Sequence, residues 1–330
     1  MGVLGRTQCA YYIETKSAYR IIIMLLRPVL RITLFLFIFL LAVISGAIVY
    51  SSAVSGRPAF DGDKAFTILL KQCEFGPRPV GTIAHTATKT YLADELRKYA
   101  DSVELQEFTS FIDGTSMPLT NIIARFGKTG TGSILLCAHW DTRPIADRDR
   151  DPSKRKTPII GANDGASGVA VLLELARIFK QSPPDVPVTI VLFDGEDYGP
   201  TGDDMYLGSR YFASSLNKGT RFRFGILLDM IGDKNLGIYR EANSQTAAKK
   251  VNDLIWRTAK DLGYARYFID RTKFRITDDH VPLIEAGIPT VDIIDFDYMP
   301  WHTVSDTPDK CSSESLKIVG DVISAVVYSQ

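Results

Sequence analysis

Side chains that can bind a metal or move protons follow several apolar stretches with the pattern of buried strands. They are His139, Asp141, Asp164, Glu196, Asp197, Asp229 and His302. Carboxylates and imidazoles are costly to bury unless they are paired or bind a metal. A mixture of His with Asp and Glu suits Zn²⁺, which accepts nitrogen and oxygen ligands. The sequence therefore predicts a zinc site at the ends of strands.

Each of these residues also has an ordinary structural explanation. Asp164 lies between a glycine-rich turn and a helix, where an aspartate is often an N-cap. Glu196 and Asp197 could form a solvated acidic turn, Asp229 could be satisfied by backbone amides, and a lone histidine such as His302 is more often structural. Their occurrence together favours one shared site.

The adjacent acids Glu196 and Asp197 leave their strand in different directions. One of them can bind a metal while the other, beside a cation and an apolar wall, acts as general acid and base. His139 and Asp141 would point the same way from a strand, so that Asp141 could orient the His139 ring. Residues 278–280, Asp-Asp-His, precede a helix that one of the two acids could cap.

The elements that must position these side chains alternate along the chain. Strands are predicted over 121–127, 133–141, 186–197, 224–233 and 288–296, and helices over 84–100, 168–182, 207–216, 244–264 and 312–328. Alternation of this kind implies a mostly parallel sheet between helical layers, in which ligands bind beyond the carboxyl ends of the strands. The predicted fold is α/β, with a three-layer arrangement of helices on both faces of a mostly parallel, mixed central sheet. Ser312 or Ser313 is the expected N-cap of the closing helix.

The composition argues against a nucleic-acid-binding protein and against a structural zinc knuckle. Lys+Arg and Asp+Glu both number 38, so charge gives no reason to expect a nucleic-acid partner. The 4 cysteines show no CxxC spacing, which argues against a structural zinc knuckle. Cys73 and Cys311 could pair if the domain is exported.

The N-terminal part has the pattern of a membrane segment. Residues 32–50 form an uncharged apolar run long enough to cross a bilayer as a helix. Arginines in the basic segment 1–31 predict that this end is cytoplasmic and that the C-terminal domain is exported. The run would be an inner-membrane anchor that leaves the domain in the periplasm, or a signal segment whose cleavage secretes it. Residues 51–65 would be a linker, and Met24 is an alternative start to Met1.

The order of the motifs resembles the M28 zinc aminopeptidase family over residues 66–330. Within that family it is most similar to the glutaminyl-peptide cyclotransferase branch, particularly its bacterial members. The residues that carry the resemblance are FGPRPVGT, CAHWD, LGSR, LLDMIG, DDHVPL and PWHT. Two features favour this branch over the peptidases: Asp278 in addition to Asp279, and Trp301 directly before the last histidine.

The resemblance implies a zinc aminopeptidase-like fold with one catalytic Zn²⁺ held by Asp164, Asp197 and His302. Many relatives have Glu-Glu where this chain has Glu196 and Asp197, so the metal could lie closer to the strand. Peptides or proteins with N-terminal glutamine would be converted to pyroglutamate with release of ammonia.

The remaining roles implied by the resemblance concern protons and substrate. Glu196 would be the proton shuttle, and Asp229 and Asp278 would form a catalytic acidic network. Asp278 and Trp301 would also bind the substrate.

A two-zinc aminopeptidase is the alternative. His139 and Asp229 would then hold the second metal, with Asp164 bridging the two ions. All of these residues are present, so the ligands alone do not discriminate. A membrane-anchored binding domain with an inactive site is disfavoured, because no ligand position is lost.

Overall fold

The computed structural model describes residues 58–112, 114–127, 132–199 and 202–330, together with residues 37 and 39. The chain from Pro58 onward forms one compact unit. Among the described residues, no helix has the length and apolar character needed to cross a membrane. The predicted segments 1–31 and 32–50, apart from residues 37 and 39, and the first part of the predicted linker lie outside the described residues.

A six-stranded mixed sheet forms the centre of this unit. Its strands are β1 Ser102–Ile112, β2 Thr115–Phe126, β3 Ser133–His139, β4 Val188–Phe193, β5 Phe222–Asp229 and β8 Thr290–Ile294. They lie in the order β1-β2-β4-β3-β5-β8. Strands β4, β3, β5 and β8 are parallel, whereas β1 and β2 are antiparallel additions. β6 Ile238–Arg240 and β7 Phe268–Thr272 form a separate two-stranded sheet.

Eight helices accompany the sheet in the described part of the chain. They are α1 Gly62–Glu74, α2 Ile83–Arg97, α3 Ala166–Gln181, α4 Leu207–Ser215, α5 Ala242–Ala247, α6 Lys249–Asp261, α7 His280–Glu285 and α8 Ser313–Tyr328. The prediction of a single helix over 244–264 is wrong, because Ala248 leaves the helical region at φ −132° and ψ 35° and separates α5 from α6. Ser312 caps α8 as predicted, accepting a hydrogen bond from the Ser315 N–H.

The central strands are buried on both faces. On β3, Ile134 and Leu136 pack into one hydrophobic cluster with α3 and α8, whereas Leu135 and Cys137 pack into another with Phe212 of α4. Burial on both sides explains why these strands are continuous apolar runs rather than alternating ones. The predicted three layers are therefore confirmed. Replacing a fully buried leucine such as Leu136 with alanine would destabilise the fold by about 2–5 kcal/mol.

The three cysteines in the described part of the chain are reduced. Cys73, Cys137 and Cys311 are free thiols, so the pairing considered for Cys73 and Cys311 is not formed. Cys137 is fully buried in the core of the sheet, as its apolar surroundings predicted.

Candidate metal centre and active site

The parallel strands bring the predicted site residues to one edge of the sheet. His139 ends β3 and Asp229 ends β5, while Glu196 and Asp197 follow β4 through a turn. His302 lies on the loop after β8. Because these strands run in the same direction, their carboxyl ends meet, and all five side chains are buried there.

The Asp164 turn is shaped by glycine and by a remote carboxylate. Gly165, rather than Asp164, is the N-cap of α3, so the expectation that Asp164 could be an N-cap is wrong. Gly165 has φ +101°, and a Cβ there would lie 2.5 Å from the Asp141 carbonyl oxygen. The Asp306 carboxylate accepts hydrogen bonds from the N–H groups of Asn163 and Asp164 at 2.9 and 3.1 Å. The Asp164 side chain is therefore free to point into the site.

Asp164, Asp197 and His302 form a first cluster, which we call the His302 group. One potential ligand atom from each residue lies within 4.8 Å of the others. Nε2 of His302 is 3.4 Å from Oδ1 of Asp197 and 3.7 Å from Oδ2 of Asp164. Oδ2 of Asp164 and Oδ2 of Asp197 are buried without a hydrogen-bond partner.

Burial and neighbouring charges shift the pKa values of all three residues of the His302 group. Burial, reinforced by Asp197, raises the pKa of Asp164. Burial acts against ionisation of Asp197 too, but His302 and Arg143 outweigh it and lower the pKa of Asp197. Burial likewise opposes protonation of His302, yet Asp197 and its other acidic neighbours raise the pKa of His302 to about 9. Two unpartnered carboxylate oxygens and an imidazole nitrogen fit the donor set of Zn²⁺.

His139, Asp164 and Asp229 form a second cluster, the His139 group. Here Nε2 of His139 lies 3.1 Å from Oδ1 of Asp164 and 3.3 Å from Oδ1 of Asp229. Burial opposes the charged form of His139, but the surrounding carboxylates raise its pKa well above the ordinary value. Nε2 of His139 is thus close to two carboxylates, whereas its Nδ1 is buried without a hydrogen-bond partner.

Glu196 lies between the two groups. Its Oε2 is 3.8 Å from Nδ1 of His139. The Asp141 carboxylate accepts from the N–H groups of Glu196 and Asp197 at 3.1 and 3.2 Å and so orients both acids. Burial raises the pKa of Glu196 well above its ordinary value, with Asp197 and Asp278 adding to the effect and His139 opposing it. A carboxyl group in such a position can accept and return a proton.

Asp278 belongs to a buried acidic network. Its Oδ1 accepts from the Asp279 N–H at 2.5 Å, and its Oδ2 has no hydrogen-bond partner. Burial, together with Asp229 and Asp279, raises the pKa of Asp278 well above its usual range. Asp279 occupies the N-cap position of α7, but its side chain makes no capping hydrogen bond. The proposed capping role of this acid pair is therefore absent.

Aromatic side chains form one wall beside His302. The half-buried Trp301 ring has its centroid 4.0 Å from that of His302 and 4.9 Å from that of Phe296. The Arg148 guanidinium lies over the Trp301 ring at 4.6 Å from its centroid. This wall offers a flat apolar surface next to the His302 group.

Several residues at the site were missed by sequence reasoning. Arg143 contacts Asp197, and Asp147 contacts both Arg143 and His302. Tyr206 adopts a left-handed backbone at φ +59°, and its N–H donates to the Glu196 carbonyl at 2.9 Å. Its hydroxyl donates to the Thr277 carbonyl at 2.6 Å, next to Asp278. Charged loop residues such as Arg143 have no local sequence signal that separates them from a solvated loop.

The chain is similar in sequence and in fold to known proteins. Residues 121–327 match peptidase family M28. The fold is similar to the crystal structure of Bacteroides thetaiotaomicron glutaminyl cyclase bound to N-acetylhistamine. The TM-score is 0.81 and the identity 39%, over 83% of this chain and 100% of that one.

Curated relatives include both cyclotransferases and peptidases. Glutaminyl-peptide cyclotransferase of Drosophila melanogaster is 26% identical over 278 residues, covering 74% of this chain and 75% of that protein. Aminopeptidase YwaD of Bacillus subtilis is 28% identical over 208 residues, or 59% of this chain. The chain spans only 40% of the length of that aminopeptidase.

Proposed function

The chain belongs to peptidase family M28, and on this premise we propose that it is a zinc-dependent glutaminyl-peptide cyclotransferase. It converts the N-terminal glutamine of peptides or proteins to pyroglutamate and releases ammonia. The observation that carries the proposal is the His302 group with Trp301 beside it and Asp278 near Glu196 and Asp229, in a chain 39% identical to a glutaminyl cyclase.

Asp164, Asp197 and His302 would hold the zinc ion. When bound, zinc supplies Lewis acidity that polarises the γ-carboxamide oxygen of the substrate. The α-amine attacks the γ-carbon, so that a new C–N bond closes the ring and the bond to the amide nitrogen breaks. Glu196 accepts a proton from the amine and returns it to the departing ammonia. No water is consumed.

Asp278 and Trp301 orient the glutamine side chain. Oδ2 of Asp278 is buried without a hydrogen-bond partner and would hold the leaving amide nitrogen of the substrate. Trp301 packs on the flat carboxamide. Because nucleophile and electrophile belong to one residue, fixing their relative orientation gives a large part of the rate.

Hydrolysis by a two-zinc aminopeptidase is the second candidate. The observation that favours it is the His139 group, whose buried residues could hold a second ion next to the first. Glu196 would then activate water instead of the amine. Asp197 has a buried oxygen without a hydrogen-bond partner and Asp229 has none, which favours a single ion at the His302 group.

The deciding experiment combines an activity assay with metal analysis. The chain from residue 58 onward should convert glutaminyl peptides to products lighter by ammonia and contain about one zinc per chain. Release of free amino acids from aminoacyl anilides, with no cyclic product and two zinc ions, would establish the peptidase instead.

We further propose that residues 32–50 anchor the chain in the inner membrane or direct its secretion, with the catalytic domain in the periplasm. The support is the uncharged apolar run preceded by arginines. Protease added to intact spheroplasts should digest the catalytic domain. Protection of the domain until the cells are lysed would contradict this localisation.

A further inference from the structure

An ion pair between the buried Arg143 and the partly exposed Asp147 contacts two of the three members of the His302 group. Arg143 donates from Nη1 to Oδ1 of Asp197 at 2.5 Å, and from Nε and Nη2 to the two oxygens of Asp147 at 2.7 and 3.2 Å. Oδ1 of Asp147 lies 3.5 Å from Nδ1 of His302. These four side chains form a continuous chain of contacts, which we call the Arg143 brace.

At one end of the brace, Arg143 determines which oxygen of Asp197 remains available to a metal. Oδ1 is taken by Arg143, whereas Oδ2 is buried without a hydrogen-bond partner. The backbone of Asp197 is also fixed, because its N–H donates to Oδ2 of Asp141 at 3.2 Å. Aspartate has one methylene fewer than glutamate and therefore less reach. Asp197 can thus present a single, well-oriented oxygen to a metal.

The other end supports His302 in an unfavourable backbone conformation. His302 has φ +55°, in the left-handed region that residues other than glycine adopt rarely. Its carbonyl accepts from the Arg148 N–H at 3.1 Å, and the Val304 N–H donates to Asp149 at 3.2 Å. Asp147 faces Nδ1 of the ring, which leaves Nε2 directed towards Asp164 and Asp197.

The positive charge of Arg143 does not itself favour binding of a metal ion at the His302 group. An unpaired arginine next to the ligands would repel a metal ion, because like charges repel strongly where water is excluded. Arg143 is instead paired with Asp147, and its side chain is only 4% exposed. The pair adds no net charge, so orientation of the ligands is what it contributes.

We propose that Arg143 is a positioning residue for the metal: it presents Oδ2 of Asp197 and, through Asp147, Nε2 of His302. This role rests on the proposed function only in requiring a metal at the His302 group, and it holds for cyclisation and hydrolysis alike. It also explains how Asp197 can act as a metal ligand. An aspartate reaches less far than a glutamate, so its carboxylate must be held in the correct orientation.

The test is the zinc affinity of the double variant Arg143→Gln/Asp147→Asn, measured on the metal-free chain by competition with a fluorescent zinc chelator. This variant removes both charges and keeps the net charge constant. We expect zinc to bind about 10–100-fold more weakly, as for loss of other groups that orient metal ligands. Binding as tight as that of the parent chain would overturn the proposal.

The matched control is Asp94→Asn/Arg97→Gln. This pair has an N–O distance of 2.7 Å, lies exposed on α2, and its removal changes the charges in the same way. Its zinc affinity should equal that of the parent. A loss equal to that of the brace variant would also contradict the proposal.

A conservative variant guards against misfolding of the double variant. Arg143→Lys keeps the charge but cannot contact Asp147 and Asp197 through a planar fork. We expect its zinc affinity to lie between those of the parent and the double variant, with a folded circular dichroism spectrum. Parental affinity in this variant would show that the fork is not needed. A parent chain that binds one zinc yet forms no pyroglutamate would refute the proposed function but leave this test valid.

Discussion

The two buried groups that share Asp164 differ in how their polar atoms are partnered. In the His139 group, the imidazole Nε2 contacts both carboxylates directly, at 3.1 and 3.3 Å. In the His302 group, one oxygen of Asp164 and one of Asp197 have no hydrogen-bond partner. Residue composition is similar in the two groups, so composition does not identify a metal site. The buried Oδ2 of Asp197, which has no hydrogen-bond partner and belongs only to the His302 group, favours that group, because a buried charge needs a counter-charge.

Asp164→Ala should have the largest effect, because Asp164 belongs to both groups. Zinc content should fall from about one per chain to none. The cyclisation rate should drop by roughly 1,000-fold or more, as expected when several kcal/mol of metal catalysis are lost. Metal analysis of the purified variant checks this. Full zinc content in the variant would show that neither group is the metal site, whereas Asp94→Ala on the exposed face of α2 should change nothing.

Glu196→Gln tests the residue that lies between the groups. The turnover number should fall by about 100-fold or more, because an amide cannot accept and return the proton. Zinc content should stay at about one, since Asp164, Asp197 and His302 are intact. Rapid-quench measurement of pyroglutamate formation checks the rate. An unchanged rate would remove the proton-shuttle role from Glu196.

His139→Asn asks directly whether the second group holds an ion. With a single metal at the His302 group, zinc should remain at about one per chain and the rate should fall by about tenfold, because Asp164 loses a partner that orients it. Zinc analysis of parent and variant side by side is the measurement. A change from two ions to one would assign the His139 group to a metal and favour the aminopeptidase.

The pH dependence of zinc binding should follow His302. Because the pKa of His302 is raised to about 9 in the metal-free fold, zinc must displace its proton below that pH. Affinity should therefore rise about tenfold per pH unit between pH 7 and 9 and then level off. The protonated ring stabilises the metal-free fold below its ordinary pKa of 6.5, and this contribution is lost as the pH rises through 9. Chelator competition across this range checks the slope, and a flat profile would contradict it.

The parts of the fold that sequence could predict are those with a strong local pattern. The continuous apolar runs identified β3, β4, β5 and β8, since burial on both faces requires them. β1 was missed because its side chains are mostly exposed or half-buried and its sequence is polar. α1 was also missed, although Asp61 caps it through the N–H groups of Asp63 and Lys64.

The site could be predicted only where a residue able to bind a metal or move a proton directly follows a predicted strand. His139, Asp229 and the pair Glu196–Asp197 follow apolar runs, so their shared position could be inferred. Arg143 could not, because its partner Asp197 is 54 residues away and only packing brings them together. Asp306 contacts the Asp164 turn across 142 residues for the same reason. Long-range polar contacts of this kind leave no periodic pattern in the chain.

Three residues with left-handed backbones, Tyr206, Met230 and His302, flank the site. Met230 packs among Ile276, Ile294 and Tyr298, an environment that would accept a branched aliphatic side chain. Its φ of +47° nevertheless disfavours valine and isoleucine, whose branched Cβ clashes with the backbone in this region. Mutational tolerance at position 230 is thus set by the main chain and not by the space around the side chain. Backbone conformation therefore restricts substitution at this edge of the sheet even at a position that takes no part in the chemistry.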